Sequence, residues 1–444
     1  MSHYIKNFDK LAVSRERRHA LEILEAGLEA AAPEKAVARA LRSITITGDV
    51  HVLGFGKASH RMLKGVLGVV KPVGGVIITN DERAAGVIDG VEVLVGDHPL
   101  PGERSLRATE RLLEYAEGIS RDDTVIVLVS GGGSALFEKP VPPIEIGELA
   151  ETTKMLMDSG ADIYELNTVR KHLSLVKGGR LAALLKAARI VSLIISDVVG
   201  DRLDMIASGP TVPDPTTYND AIRVLRRREL WGRVPESVRR VLVDGASGLI
   251  PETPKPGDPL FNRVLNVLAA SNKQSLEAMM RAAEERGYTP LILSSMVTGE
   301  AREVGRFIAG IAAHAALYGI APLGRRLAVL MGGETTVTVH GNGVGGRNQE
   351  LALSFLCSLD ERARGATLLA AMGSDGIDGV SPAAGAVADE ATWQRALSMG
   401  LDCRDYLERN DSYTFFSRIG DAIYTGPTGT NVNDFIVLLV YASS

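Results

Sequence analysis

The sequence contains few cysteines and few aromatic residues. Only two of its 444 residues are cysteines, Cys357 and Cys403, so at most one disulfide bond can form and a disulfide-rich secreted module is excluded. Aromatic residues make up 5% of the chain and the net charge is −5, whereas nucleic-acid-binding proteins need basic surfaces and stacking rings. We therefore expect no nucleic-acid partner and a reducing, cytoplasmic location.

Long apolar runs are also missing. No run approaches the length that spans a bilayer, and the first thirty residues are charged and lack the apolar centre of a signal peptide. With 45% hydrophobic and 23% charged residues, the composition is that of a globular protein that does not enter a membrane. No lysine occurs after Lys273, so any cation that the last part of the chain supplies to a site must be a guanidinium.

Glycine, by contrast, is abundant, with 47 residues, and many glycines follow apolar runs. The run 125–129 is almost entirely β-branched, which predicts a strand buried on both faces of a parallel sheet. Directly after it come Ser130, Gly131, Gly132, Gly133 and Ser134. A glycine-rich loop between such a strand and a helix is where open α/β sheets bind anions, although a tight turn without a ligand has the same composition.

Similar loops recur along the chain. Residues 51–59 predict a strand, a glycine-bearing turn and a helix that starts near Lys57, and residues 190–197 predict a strand that ends at Asp197. Further strand-to-glycine units occur at 326–334 and 367–379, and the glycines at 341–346 precede Arg347 at a predicted helix N-terminus. A solvated lysine and a loop-capping aspartate are the ordinary alternatives at single positions, but several converging loops would favour a large phosphate-bearing ligand.

Two segments carry further expectations. Arg170 and Lys171 follow Asn167 by three and four residues on a predicted helix, so they share with it a face that suits a carboxylate or phosphate, unless that face is merely solvated. Residues 244–258 contain three prolines and three glycines, which predicts a crossing between an N-terminal domain, 1–245, and a C-terminal domain, 260–444. The alternating segment 335–340 predicts a half-buried strand.

These loops include motifs that together cover nearly the whole chain. They are Gly54-Phe-Gly-Lys-Ala-Ser59, Asp97-His-Pro-Leu-Pro101, Val129-Ser-Gly-Gly-Gly-Ser-Ala135, Leu166-Asn-Thr-Val-Arg-Lys171, Ser196-Asp197, Ala207-Ser-Gly-Pro-Thr211, Gly332-Gly-Glu-Thr335, Gly345-Gly-Arg-Asn-Gln-Glu350, Gly373-Ser-Asp-Gly-Ile-Asp-Gly379 and Gly429-Thr-Asn-Val-Asn-Asp434. With these motifs the chain resembles the class II glycerate kinases, the glycerate 2-kinases of the MOFRL family. The resemblance implies an α/β fold with two dissimilar α/β domains, an N-terminal Rossmann-like α/β/α sandwich and a C-terminal mixed-sheet domain. It also implies that D-glycerate is phosphorylated at the 2-hydroxyl by ATP with Mg²⁺, in the cleft between the domains.

The resemblance implies roles for individual residues. Lys57, Asp197 and Arg347 match the positions that the family assigns to catalysis. The loop 130–134 and the face that carries Asn167, Arg170 and Lys171 would orient phosphate and the glycerate carboxylate. The expected nucleotide-binding residues are Asn272, Lys273, Gly333, Glu334, Asn348, Asp375 and Asp378. The expected magnesium ligands are Asp197, Glu334 and Asp375.

Two other functions remain open at this point. A hydroxypyruvate reductase would act on the same carbon skeleton, but Gly54-x-Gly56 lacks the third glycine of a dinucleotide-binding loop, since Ser59 occupies its place. A non-catalytic sensor could bind a phosphorylated ligand without turnover. A homodimer is compatible with the sequence.

Overall fold

The computed structural model describes residues 3–187, 189–324 and 326–441. The chain forms two compact units. The central unit is Pro33–Ala269, and the terminal unit joins the residues up to Ala32 to those from Ala270 onward.

The helices and strands follow one another along the whole chain. Within the described residues, the helices are α1 (Phe8–Leu11), α2 (Arg15–Ala31), α3 (Pro33–Leu41), α4 (Ser59–Leu67), α5 (Glu103–Glu117), α6 (Gly133–Leu136), α7 (Ile146–Asp158), α8 (Ile163–Leu173), α9 (Arg180–Leu184), α10 (Tyr218–Arg227), α11 (Glu236–Ala246), α12 (Asn272–Glu285), α13 (Ala301–Tyr318), α14 (Arg347–Ser358), α15 (Glu361–Arg364), α16 (Glu390–Ser398), α17 (Cys403–Glu408) and α18 (Ser412–Ile419). The strands are β1 (Val50–Phe55), β2 (Gly74–Thr79), β3 (Gly86–Ile88), β4 (Val91–Val95), β5 (Thr124–Val129), β6 (Arg189–Ile195), β7 (Val264–Ala270), β8 (Thr289–Val297), β9 (Arg326–Gly333), β10 (Thr367–Gly373), β11 (Gly385–Asp389), β12 (Ala422–Ile423) and β13 (Asp434–Tyr441). Three 3-10 turns cover Glu82–Ala84, Ile206–Ser208 and Pro259–Arg263.

The central sheet has the strand order β3-β4-β2-β1-β5-β6-β7. The pairs β1–β2, β2–β4, β1–β5 and β5–β6 are parallel, and only the short β3 is known to run antiparallel to its neighbour β4. The chain places β2 on one side of β1 and β5 on the other, which is the topological switch point where open α/β sheets bind ligands. The carboxyl ends of β1, β5 and β6 therefore meet at one edge.

Helices cover both faces of this sheet. Val125, Val127 and Val129 pack on one face in a core that includes Leu112 of α5 and Leu181 of α9. Because side chains alternate along a strand, Ile126 and Leu128 of β5 point to the opposite face, where α4 contacts the strand. The predicted Rossmann-like α/β/α layering of the N-terminal part is confirmed.

A separate helical layer packs beside the central sheet. Its core is formed by apolar residues of α7, α8, α10 and α11, among them Leu156, Val169, Leu225 and Leu242. Helix α8 begins with a capping box in which Asp162 accepts from the backbone N–H of Glu165 at 2.8 Å. Every side chain of α8 from Glu165 to Leu173 is buried, so the polar face predicted here is not a solvated one.

The terminal unit contains a mixed sheet, as predicted for the C-terminal domain. Its strand order is β12-β11-β10-β13-β9-β8. Strands β8 and β9 are parallel, and the remaining pairs are antiparallel. Helices α13 and α14 contribute to the large core on one face, which also includes Phe415, Phe416 and Leu438.

The first residues of the chain belong to this terminal unit, where the sequence placed them in the N-terminal domain. Helix α2 packs against α12 and contacts β13 and β10. Its Arg17 is 1% exposed and binds two carboxylates, with Nε 2.7 Å from Asp389 Oδ2 and Nη1 2.6 Å from Asp421 Oδ1. A buried ion pair between residues so distant in sequence cannot be seen as a local pattern, so the boundary at Pro33 was not predicted.

The proline-rich segment 244–258 lies inside the central unit instead of forming the expected crossing. Thr253 is 2% exposed, and its hydroxyl donates to Asp214 Oδ2 at 2.9 Å. The backbone N–H of Tyr218 donates to Glu252 at 3.0 Å. The chain instead leaves the central unit after β7, the edge strand of its sheet, which the sequence had assigned to the second domain.

The strand predicted at 335–340 is wrong. Only an isolated bridge pairs Thr336 with Glu300. The backbone N–H of Thr338 donates to the Glu300 carboxylate at 2.9 Å, and that of His340 donates to Asn410 Oδ1 at 2.8 Å. Side chains thus satisfy the backbone groups that a strand would have used.

The two cysteines form the one disulfide bond that the sequence allows. It links Cys357 on α14 to Cys403 at the start of α17, within the terminal unit. Across the described ranges, none of the helices combines the length and the apolar character that crossing a membrane requires.

Candidate functional site

The loops that follow β1 and β5 interlock at the edge of the central sheet. The backbone N–H of Lys57 donates to Gly131 O at 2.9 Å, and that of Ala58 donates to Ser130 Oγ at 3.1 Å. Gly56 has φ +124°, and a Cβ on it would overlap Ser130. Glycine is therefore required at this crossing.

The same loop brings together the two catalytic candidates of the central unit. A Cβ on Gly131 would overlap the Asp197 carboxylate, so the absent side chain lets this carboxylate approach the loop backbone. At Gly132, which has φ +80°, a Cβ would lie 3.1 Å from Lys57 Cγ and 3.1 Å from His98 Cδ2. Asp197 and Lys57 thus border neighbouring glycines of one loop.

His98 was not predicted as a site residue, although it lies in one of the family motifs. Burial and, less strongly, the Lys57 ammonium lower the pKa of His98 to about 4, so the imidazole is neutral near pH 7. Lys57 itself is exposed and forms no ion pair with any residue that the structure describes. Its ammonium is available to an anionic ligand.

A chain of side-chain hydrogen bonds runs from the glycine loop to α8. Ser134 Oγ lies 2.9 Å from Ser208 Oγ, and the Ser208 hydroxyl donates to Asn167 Oδ1 at 2.7 Å. Ala207 and Ser208 have φ +50° and +62°, a conformation that non-glycine residues avoid. Such strain is concentrated at functional loops, and here it directs the Ser208 hydroxyl at Asn167.

The structure separates the two cations predicted on α8. Lys171 is fully buried, and its Nζ lies 3.3 Å from Asp214 Oδ1 and 3.5 Å from Asp204 Oδ2. Arg170 is 8% exposed, and within the described chain its side chain makes one long hydrogen bond, 3.5 Å from Nε to Thr153 Oγ1, and no ion pair. Lys171 is already neutralised, whereas the Arg170 guanidinium is not.

In the terminal unit, Arg347 is the first residue of α14 and is held by two carboxylates. Its Nε and Nη2 donate to Asp434 at 2.6 and 2.9 Å, and its Nη1 lies 3.0 Å from Glu334 Oε1. Burial alone would lower the pKa of Arg347, but Asp434 raises it above its ordinary value. Burial raises the pKa of Asp434 to about 6 in spite of Arg347. Asp434 closes a family motif but was not predicted as a site residue, because its partner lies 87 positions away.

The N-terminus of α14 is already occupied by a side chain. Asp378 is 1% exposed and accepts from the backbone N–H groups of Asn348 and Gln349 at 3.0 and 2.9 Å. Burial raises the pKa of Asp378, and these hydrogen bonds oppose the shift. The structure therefore brings the predicted nucleotide-binding residues Asn348 and Asp378 together, and Asn348 donates its hydrogen bonds to the Asp378 carboxylate.

The other predicted nucleotide-binding residues differ in accessibility. Asn272 is 4% exposed and donates from Nδ2 to Val432 O and Asp434 O, both at 2.9 Å. Gly333 has φ +145° where β9 ends. The side chains of Lys273 and Glu334 are 69% and 44% exposed. Asp375 is half-buried and accepts from Ile377 N at 3.0 Å.

The predicted magnesium ligands do not form a preassembled cage. Over the described residues there is no group of three or more acidic, histidine or cysteine side chains that could hold a metal ion. Mg²⁺ usually binds through one or two carboxylates together with substrate phosphates and water. The assignment of Asp197, Glu334 and Asp375 as magnesium ligands stays a prediction.

Comparisons with known proteins cover almost the whole chain. Residues 19–243 match a family described as a domain of unknown function, DUF4147, and residues 327–434 match the MOFRL family. The D-glycerate 2-kinase of Thermotoga maritima is 42% identical over 426 residues, which cover 96% of this chain and 98% of that relative. A crystal structure of a glycerate kinase from the same organism has a TM-score of 0.87 at 40% identity and covers 95% of this chain and 99% of the other.

Another relative has a different provisional name. A protein of Agrobacterium vitis, provisionally named a hydroxypyruvate reductase, is 42% identical over 424 residues, covering 94% of this chain and 93% of that relative. Its similarity is of the same order as that of the Thermotoga kinase, but its name as a reductase is only provisional.

Proposed function

The chain belongs to the glycerate 2-kinases of the MOFRL family, and from this premise we propose that it transfers the γ-phosphoryl group of ATP to the 2-hydroxyl of D-glycerate. The observation that carries the proposal is the loop 130–134, which borders an exposed, unpaired ammonium and a carboxylate at the switch point of a parallel sheet. Phosphoryl transfer needs positioning and charge neutralisation more than covalent chemistry.

The central unit would supply the acceptor side of the reaction. Asp197 accepts the proton of the glycerate 2-hydroxyl while the oxygen of that hydroxyl forms a bond to the γ-phosphorus of ATP. The bond between that phosphorus and the β,γ-bridging oxygen breaks, and ADP leaves. Lys57 neutralises charge on the transferring phosphoryl group, and the backbone N–H groups of Gly131 and Gly132 orient it.

The acceptor's carboxylate would be bound by α8. Arg170 has the free guanidinium for this role, and Asn167 is fixed by Ser208 to orient the hydroxyl groups. Lys171 would not contact the substrate, since its ammonium already pairs with Asp214, and it would contribute to substrate binding only through its positive charge.

The terminal unit would supply the nucleotide side. Arg347 stabilises negative charge in the transition state, and the orientation of its guanidinium is fixed by Asp434. Asn272, Lys273, Gly333, Asn348, Asp375 and Asp378 form or support the nucleotide-binding surface. Asp197, Glu334 and Asp375 would hold Mg²⁺, which, when bound, neutralises phosphate charge.

The test is a phosphorus NMR spectrum of the product formed from D-glycerate and Mg-ATP. A new resonance that couples to the C2 proton, together with ADP, is expected. Phosphorylation at C3 would overturn the assigned position, and binding without ADP formation would indicate a sensor. NADH oxidation with hydroxypyruvate, without any phosphorylated product, would favour the reductase.

Three variants test the residue assignments. Lys57→Ala, Asp197→Asn and Arg347→Ala should each lower kcat by a factor on the order of a hundred or more, while each protein remains folded at the assay temperature. Lys64→Ala, a change of an exposed lysine on α4, is the matched control and should retain turnover. A site variant with near-normal turnover would remove that residue from the mechanism.

A further inference from the structure

Arg170 is one of two buried cations whose charges interact. The second is Lys177, which is fully buried and follows α8 by a few residues. Lys177 Nζ lies 3.3 Å from Glu138 Oε2 and donates to Phe137 O at 2.6 Å. Glu138 is itself 1% exposed and lies two residues after the end of α6, the short helix that follows the glycine loop.

This cluster contains more positive than negative charge. Glu138 is the only carboxylate that the pKa of Arg170 responds to, and it also faces Lys177. Burial lowers the pKa of both cations, and Arg170 lowers that of Lys177 further. A lowered pKa shows that the charged form of each cation is disfavoured at its site, so an added anion would stabilise both cations.

An unpaired buried charge is strongly unfavourable, so its presence needs a compensating ligand. The Arg170 guanidinium is the part of the cluster that has no carboxylate partner among the described residues. It lies one helical turn beyond Asn167, whose amide joins the hydrogen-bond chain from the loop. A guanidinium at this position binds a carboxylate in two parallel hydrogen bonds.

We propose that Lys177 and Glu138 are specificity-determining residues that keep Arg170 in charge excess, so that the site selects a hydroxy acid over an uncharged polyol. This inference rests on the proposed function. Lys177 adds the second positive charge, and Glu138 limits the excess to one. Neither residue touches the substrate, and both act through Arg170.

A purely structural role is the rival explanation. The bond from Lys177 to Phe137 O closes the segment after the glycine loop. The following Gly178 and Gly179 donate to Ser208 O and Gly209 O at 3.0 and 2.8 Å, so the whole segment supports the strained turn. Loss of Lys177 could then disturb the loop for every ligand, charged or not.

The test compares D-glycerate with its uncharged amide, D-glyceramide, as a competitive inhibitor of the full-length enzyme. Lys177→Met should raise the KM for D-glycerate about tenfold and change the inhibition constant of the amide less than about threefold. Glu138→Gln should lower that KM or leave it unchanged. The double variant E138Q/K177M restores one net positive charge and should return the KM to within about threefold of the wild-type value.

The double variant keeps the proposal falsifiable even if one single variant folds poorly, because it removes both members of the Lys177–Glu138 pair and leaves neither without its partner. Equal losses for acid and amide, or a double variant as impaired as the worse single variant, would overturn the proposal in favour of a structural role. Absence of glycerate-dependent ADP formation in the wild-type enzyme would instead contradict the proposed function itself. Lys177→Arg, which keeps the charge, should retain acid selectivity.

Discussion

Arg17 of the terminal unit and Arg170 of the central unit are both buried arginines, but their surroundings are opposite. Arg17 donates to two carboxylates and to Thr392, and these bonds raise its pKa although burial alone would lower it. Arg170 makes one long hydrogen bond to Thr153, and burial lowers its pKa. The Arg17 guanidinium, which is held by two buried carboxylates, has a structural role, whereas the Arg170 guanidinium, which has no carboxylate within hydrogen-bonding distance among the described residues, indicates a missing ligand.

The largest effect is expected for Arg17→Met. It leaves Asp389 and Asp421 buried without their cation, so the free energy of unfolding of the terminal unit should fall by about 3–5 kcal/mol. Burial raises the pKa of Asp389, but the hydrogen bonds and the positive charge of Arg17, together with hydrogen bonds from Thr392, outweigh burial and leave that pKa lowered in the folded protein. Asp389 therefore contributes stability at pH values above its ordinary pKa, and this contribution is lost as the pH falls through its pKa in the folded protein. Denaturant unfolding against pH measures both, with the exposed Arg15→Met as control. Unchanged stability would mean that this network is not structural.

Reduction of the Cys357–Cys403 bond should have a smaller effect. The bond closes a loop of 46 residues within the terminal unit, which corresponds to roughly 2–4 kcal/mol of stability. Thermal unfolding with and without reductant should show a lower midpoint in the reduced protein. The KM for D-glycerate should not change, because the expected contacts of D-glycerate are in the central unit. A changed KM would contradict the assignment of the glycerate contacts to the central unit.

Arg170→Met should show the reverse pattern to Arg17→Met. We expect kcat/KM for D-glycerate to fall about a hundredfold, equivalent to about 2.7 kcal/mol, while stability is retained or increased because an unpaired buried charge is removed. The neighbouring Lys171→Met is the matched control and should lose stability instead, since Asp214 and Asp204 would lose their cation. Steady-state kinetics and thermal unfolding distinguish the two variants. If Arg170→Met unfolds more readily than Lys171→Met, the comparison fails.

The smallest effect concerns Asp434. Its pKa is raised to about 6, above its ordinary value, so its contribution to stability is present at low pH and is lost as the pH rises through about 6. Activity should change in the opposite direction, falling a few-fold below about pH 6, because protonation releases the anchor of Arg347. The pH profile of kcat measures this, and Asp434→Asn should flatten its acidic limb. An acidic limb that persists in this variant belongs to another group.

Sequence patterns predicted the elements and the loops well, but not their partners. Apolar β-branched runs such as 125–129 are local, and glycines after them must turn, so β5 and its loop were predictable. The partners of Arg17 and Arg347 are 372 and 87 positions away, and only the tertiary fold selects them. The prolines at 244–258 are typical of a linker, yet Thr253 is buried against Asp214, which no local pattern reveals. For the same reason the sequence predicted the same substrate-binding role for Lys171 and Arg170, although only Lys171 is paired with buried carboxylates.

The residues up to Ala32 share a compact unit with those from Ala270 onward, so the central unit is an insertion within the terminal one. During synthesis at about 5–20 residues per second, Arg17 would wait about 20–80 s for the two aspartates that it binds, 372 and 404 residues further along the chain. Until α12 has been synthesised, the apolar face of α2 lacks the helix against which it packs, and by then the central unit has already been synthesised. The ion pairs of Arg17 therefore form only when synthesis is nearly complete.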